Sequence, residues 1–206
     1  MSLLRGPNID NLMSLFYEAE HQPGGVFPWW IYAARQAFLF DHCYFIPNRN
    51  DPDLYLGRFW VTKPVEVSCR EHDTQCKYTS RGSVLLHLIC GPDDDAAVHS
   101  HPWAFDSEVL SGGFTEREPG PEWEVYRRDP LETPHVGPYP HEEVQVIRKS
   151  GDVYHSPADR MHRITLVEPN TWTLVRTADT ADNTSWGFHP PGKPFIHWRD
   201  FLNARK

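Results

Sequence analysis

No stretch of this chain approaches the roughly 20 consecutive apolar residues that a bilayer-crossing helix requires. The most apolar early window, residues 26–40 (VFPWWIYAARQAFLF), is broken by Arg35 and Gln36 and reads as a packed helix or a lid. The N-terminal residues lack a basic stretch followed by an apolar run, so no secretory leader is expected. Cysteine is scarce too. The four thiols, Cys43, Cys69, Cys76 and Cys90, make no C-x-x-C pair and no dense framework. A reduced, cytoplasmic setting is therefore the default, with a Cys69–Cys76 bridge as the alternative.

Positive charge is also in deficit: 20 Lys and Arg stand against 28 Asp and Glu, for a formal charge of -8. A protein that neutralises phosphates needs a basic face, and no basic cluster is present, so nucleic acid and acidic membrane surfaces are not expected as partners. Neutral or cationic small molecules and proteins are left. The 206 residues suit a single domain with a substantial core.

What the chain does hold in quantity is proline, 19 residues, and histidine, 12. Proline at this density divides the chain into short elements and disfavours long helices. Histidine at this abundance raises the prospect of a metal or acid/base site without locating it.

The first 20 or so residues contain one amphipathic helix, with Ile9, Leu12, Met13, Phe16 and Tyr17 at helical spacing behind Asn8 as the candidate cap. It ends near QPGG at 22–25, and a second short helix is expected over 29–38, before the turn-rich PNRNDPD at 47–53. The pattern then changes to short β-type runs at 55–62, 83–90, 105–110, 112–117, 122–128, 143–148, 152–156, 162–167 and 171–177. Runs of this length and spacing predict a mainly β, antiparallel sandwich or barrel. The proline-rich segment from Asp129 to His141 reads as an irregular surface excursion. The expected organisation is a helical or irregular extension over 1–54, packed on a β-barrel over 55–206 whose aromatic, proline-rich tail (185–202) folds back over it.

Two segments carry the chemistry. In AVHSHPWAFDSE, His99 and His101 are two apart, and on a strand such residues share a face, so their imidazoles converge. In KSGDVYHSPADRMH, a third histidine, His162, opens a later strand run behind Gly151, Pro157 and Asp159. Two ligands on one strand and a third brought alongside can build a metal site in the mouth of a β-barrel.

These segments resemble the two characteristic motifs of the cupin superfamily, G-x5-H-x-H-x3,4-E-x6-G and G-x5-P-x-G-x2-H-x3-N. The first is matched by His99, His101, Asp106 in the place of the glutamate, and Gly113; the second by Gly151, Pro157 and His162. The glycine that should precede His99 by six is replaced by Asp93, Asp159 replaces the second motif's internal glycine, and Leu166 stands at the closing asparagine. Aspartate tolerates left-handed backbone better than most residues, so Asp159 is an acceptable substitute. The resemblance covers roughly residues 83–177. It implies a double-stranded β-helix (jelly-roll) barrel, to which the periodicity adds short N-terminal helices outside the resemblance, and a divalent metal held by His99, His101 and His162. Three ligand sets stay open: the histidines with Asp106, with Glu108, or alone, as in some thiol dioxygenases of the superfamily. Iron(II) is favoured, with zinc, nickel and manganese as alternatives.

Around the metal, His87, Trp103, Glu108 and Arg160 are candidate pocket residues. His87 shares a strand face with Leu85 and Ile89, and its ordinary role is a hydrogen-bonded interior histidine. Arg160 lies in the turn before His162 and could hold a substrate carboxylate, with a salt bridge as the ordinary alternative. His155 reads as a wall residue, Trp103 and Phe105 as pocket wall or core, and Asp93–Asp95 as a solvated loop. The function expected is an iron(II) dioxygenase-type enzyme acting on a small molecule. A metal-dependent isomerase or lyase, with Glu108 or a histidine moving the proton, and a non-enzymatic metal- or ligand-binding module are the alternatives. Spare aromatic surface in the two arms is compatible with a homodimer.

Overall fold

The computed structural model describes residues 4–21, 26–49, 52–63, 66–67, 79–80, 82–93, 96–120, 142–179 and 186–204. Two helices, α1 (Pro7–His21) and α2 (Trp29–Leu39), come first. The apolar spacing read from the sequence is what α1 buries, through Ile9, Leu12 and Phe16, whereas Tyr17 faces outward at 64% exposure. The cap differs from the expected Asn8. The carboxylate of Asp53 accepts hydrogen bonds from the backbone N–H of Asn8 (3.0 Å) and Ile9 (3.2 Å), so the cap comes from a distant residue whose role local sequence does not signal.

The strands are antiparallel and form sheets of six, three, three and two strands. The largest contains β1 (Cys43–Pro47), β2 (Leu54–Thr62), β5 (Val84–Ile89), β12 (Thr171–Thr177), β7 (Phe105–Ser111) and β10 (Val153–Ser156), side by side in that order. A second sheet has the order β11 (Arg163–Val167), β8 (Gly113–Pro119), β9 (Glu143–Lys149). The pairing is thus mainly β and antiparallel, as the run lengths predict, and it is divided among separate sheets. The sheet pairing also begins at Cys43, inside the stretch expected to form an extension. Two residue pairs, between β3 (Glu66–Val67) and β4 (Thr79–Ser80), form the smallest sheet. The expected strand at 122–128, the excursion at 129–141 and the Cys69–Cys76 pair lie outside the described residues. Cys43 and Cys90 are free thiols.

Alternation along each strand gives the large sheet two unlike faces. One face carries Phe59, Leu86, Leu88, Trp172 and Leu174, which pack against α1 and α2 in the main apolar cluster. The opposite face carries Leu56, Ile89 and Val109, which meet Phe114 of the second sheet in a smaller cluster. That second face, turned toward the other sheet, is the interior. The β7–β8 turn needs glycine: Gly112 has φ 64°, and a Cβ there would fall 2.5 Å from Thr171 Oγ1. Gly151 has φ 92°, whereas Asp159 is not left-handed, so its replacement of the motif glycine carries no backbone strain.

The tail does more than lie over the sheets. β13 (Gly187–His189) pairs with β6 (Val98–His99) on one side and with β14 (Ile196–His197) on the other, ahead of the short helix α3 (Trp198–Asn203). Phe188 stands opposite His99 in the pairing.

Candidate metal centre

The three histidines of the two motifs converge. His99 and His162 form a reciprocal backbone bridge, with N–H to C=O distances of 2.8 and 3.0 Å, which locks the two motifs together. His101 lies just past the end of β6, where its N–H donates to the carbonyl of Ala158 in the turn before His162 (3.0 Å). Each imidazole offers one nitrogen to a common point, all within 4.8 Å of one another. His101 Nε2 and His162 Nε2 approach to 2.8 Å, near the roughly 3 Å separation of neighbouring nitrogens bound to one metal at about 2.0–2.1 Å.

The second sheet supplies what orients His162. Glu116 of β8 has no exposed surface, and its Oε2 accepts from His162 Nδ1 at 2.6 Å. The carboxyl is held down to about 2: burial opposes ionisation, but the hydrogen bond and charge of His162, with Arg160 and Arg148, prevail. A carboxylate can only accept, so His162 Nδ1 carries the proton and Nε2 keeps its lone pair for the metal. Arg148 Nε donates to Glu116 Oε1 at 2.6 Å, and Arg160 Nη2 bridges Glu116 and Glu118. Arg148 also lies over the Tyr154 ring, 3.9 Å from its centre. His101 is driven well below the ordinary imidazole range by burial first and then by His162 and His99, so it is neutral, the form that binds metals.

The donor set fits a divalent metal. Three imidazoles with one nitrogen each within 4.8 Å of the others, one fixed in tautomer by a buried carboxylate, suit a first-row ion such as iron(II), zinc, nickel or manganese. His99 at the end of β6, His101 just past it and the histidine of the second motif meet on neighbouring backbone, as the sequence resemblance implies.

No protein-family model and no curated protein matches the chain. Among solved structures it is similar to iron(II) HppE with an alternative substrate: 10% identity over 67% of this chain and 56% of that one, TM-score 0.38. It is also similar to an RmlC-like cupin from Shewanella frigidimarina, at 16% identity over 62% of this chain and 78% of the other, TM-score 0.34. A third is a recombinant oxalate oxidase in complex with glycolate: 14% identity, 51% and 44% coverage, TM-score 0.32. The chain thus spans little more than half the length of the HppE structure.

Four residues expected near the cupin site are placed elsewhere or otherwise engaged. Asp106 is on the helix-covered side of β7, opposite His155 of β10; its carboxylate pairs with His155 Nδ1 at 2.8 Å, at 58% exposure. Among the described residues, the group able to grip an ion contains the three histidines alone. Glu108 shares that outer face, opposite Leu174 of the helix-facing cluster. The reason is strand alternation: Phe105, Ser107 and Val109 are the buried, inward positions of β7, so 106 and 108 point away. Arg160 is committed to Glu116 and Glu118. Trp103 is half-buried and meets no ring among the described residues; the aromatics that meet the histidines are Phe105 against His101 (5.3 Å) and Phe188 against His99 (5.6 Å).

His87 does line the interior. Burial, reinforced by the charge of Arg58, pushes its imidazole down to about 3, and its Nε2 is buried without a hydrogen bond. Asp93 corrects the reading of a solvated loop: it is nearly buried, accepts from the Tyr55 hydroxyl and from the Ile164 N–H (2.7 Å), and lies 3.8 Å from His99 Nδ1. Glu116, Arg148, Tyr154 and Arg58 were missed as site residues, because none belongs to either motif.

Proposed function

We propose that this protein is a metal-dependent jelly-roll cupin, an iron(II) dioxygenase-type enzyme acting on a small molecule, with His99, His101 and His162 as its ligands. The observation that supports this reading most is the three-histidine cluster with its Glu116 support. Three ligands leave coordination positions open, which a structural site, with four closed ligands, does not. Iron(II) bound there supplies redox chemistry with O2.

The protein's own residues give that ion its setting. Glu116 keeps the His162 proton on Nδ1 and holds the ring in place. Phe105 and Phe188 flank His101 and His99 with apolar surface and limit the approach of water. Interior side chains of the large sheet form the substrate wall, with His87 among them. The isomerase or lyase alternative loses one of its proton carriers, since Glu108 lies on the outer face.

The test is metal analysis of protein purified without added metal, beside a His99→Ala, His162→Ala double variant. One iron per chain in the first and none in the second is expected; equal metal in both would sink the reading. Oxygen consumption with a panel of thiols, diketones and aromatic diols then separates an oxygenase from a binding module, for which the panel is inert.

A further inference from the structure

Across the interior face of the large sheet runs a row of polar residues that the three histidines do not use. Tyr44, Arg58, His87 and Thr173 stand directly opposite one another on β1, β2, β5 and β12. Opposite residues in antiparallel strands share a face, so Arg58, His87 and Thr173 project together on the inward side, while Tyr44 on the edge strand β1 is 57% exposed. Two positions along, the same face is apolar, with Leu56 beside Ile89. A guanidinium in such a place is anomalous unless something is meant to meet it.

Among the described residues, no side chain partners Arg58. Its Nε is buried and makes no hydrogen bond, and among the described residues no carboxylate pairs with it. Arg148, Arg160 and Arg163 are each paired with a glutamate. Its electrostatic neighbours are the phenols of Tyr55 and Tyr44, which do not neutralise it. Directly across the ladder, His87 Nε2 is buried and equally unbonded. Both residues are half-buried, and each keeps an unbonded nitrogen inside the protein. The same face carries Phe105, whose ring lies 5.3 Å from that of His101, and the Arg58 charge and the His87 ring both bear on His101.

We propose that Arg58 and His87 are the carboxylate-binding subsite of this centre, and that its substrate is a small monocarboxylate held by Arg58 at one end and by the three-histidine site at the other. The inference rests on the metal-centre reading above. A guanidinium presents a planar fork that matches a carboxylate. One fixed positive charge matches one negative charge, since His87 is neutral, so a monocarboxylate fits better than a phosphate dianion. The overall charge of -8 does not oppose this. In the low-dielectric interior, the nearby guanidinium outweighs distant surface carboxylates screened by solvent.

The test follows binding of sodium acetate, sodium malonate and inorganic phosphate by NMR line-broadening, to iron(II)-loaded and to chelator-stripped protein. Wild type should bind acetate in both forms, and phosphate at least several-fold more weakly. Arg58→Met should lose tenfold or more in acetate affinity while its iron content matches wild type, and Arg58→Lys, which keeps the charge without the fork, should fall between. His87→Gln provides a second variant should Arg58→Met fail to fold, and should weaken acetate measurably. Acetate bound equally by Arg58→Met, or no carboxylate bound by wild type in either form, as for a guanidinium that is merely hydrated, would overturn the proposal. Acetate binding that depends on Arg58 in a chain that takes up no iron would overturn the metal reading and uphold the subsite.

Discussion

Glu116 accepts the Nδ1 proton of His162 at 2.6 Å from the floor of a buried network in which Arg148 and Arg160 hold its two oxygens. The carboxylate thereby does two separable things: it fixes the ligand tautomer, and it neutralises guanidinium charge in the interior.

Replacing Glu116 separates them. Glu116→Gln keeps the shape and an acceptor but removes the charge, and should weaken metal binding by about 10–100-fold, as loss of an outer-shell partner does. Glu116→Ala strands Arg148 and Arg160 and should cost about 3–5 kcal/mol of stability. Competition with a chromophoric chelator measures the first and urea unfolding the second; unchanged metal affinity in Glu116→Gln would remove the orienting role.

Asp106 gives the contrasting case. It pairs with His155 on the solvent side, both more than half exposed, and an exposed pair is worth about 0–1 kcal/mol. Asp106→Asn should therefore retain the full metal content and shift the urea midpoint only slightly. A loss of metal comparable to that of the histidine variants would return Asp106 to the ligand set.

The contrast shows what the sequence could and could not carry. The resemblance to the two cupin motifs brought His99, His101 and His162 to the same expected site, because the spacing of the histidines and the glycine and proline punctuation that carry it are local. The i, i+2 rule places Asp106 and Glu108 on one face, but which face depends on how β7 meets β10 and β12, which is not local. Glu116 and Arg58 belong to strands with no motif of their own. Their significance comes from what the sheets place opposite them, His162 in one case and His87 in the other. The helices behaved likewise: periodicity located α1, yet its cap arrives from Asp53, 45 residues from Asn8.

That cap makes a stability prediction. The buried Asp53 carboxylate receives the N–H groups of Asn8, Ile9 and Leu54, tying the start of α1 to the start of β2. Asp53→Ala should cost about 1–2 kcal/mol from the helix cap alone. Limited proteolysis should cut in α1 before the sheets are attacked, since the lost bonds are those that dock this helix end. Cleavage at unchanged rate, with an unchanged urea midpoint, would show that the α1 apolar face suffices by itself.

The alkaline limb of stability follows from two interior groups. Burial first, and Asp53 second, push the Cys90 thiol from 9.0 up to about 12. Burial and then Glu116 push the Tyr154 phenol from 10.0 up to about 12. In the unfolded chain both ionise at their ordinary values, so above about pH 9 the unfolded state binds fewer protons than the folded one. Stability must then fall as pH rises through the window from about 9 to 12, and it is fully present below 9. Urea unfolding at pH 8, 10 and 11 should show this decline, and Cys90→Ala should flatten its earlier part, because the thiol is the group whose ordinary value lies lower. A stability that holds level or rises from pH 8 to 11 would mean that these groups already reach water in the folded protein, and the interior around Tyr154 and the Glu116 network would have to be wetter than the packing indicates.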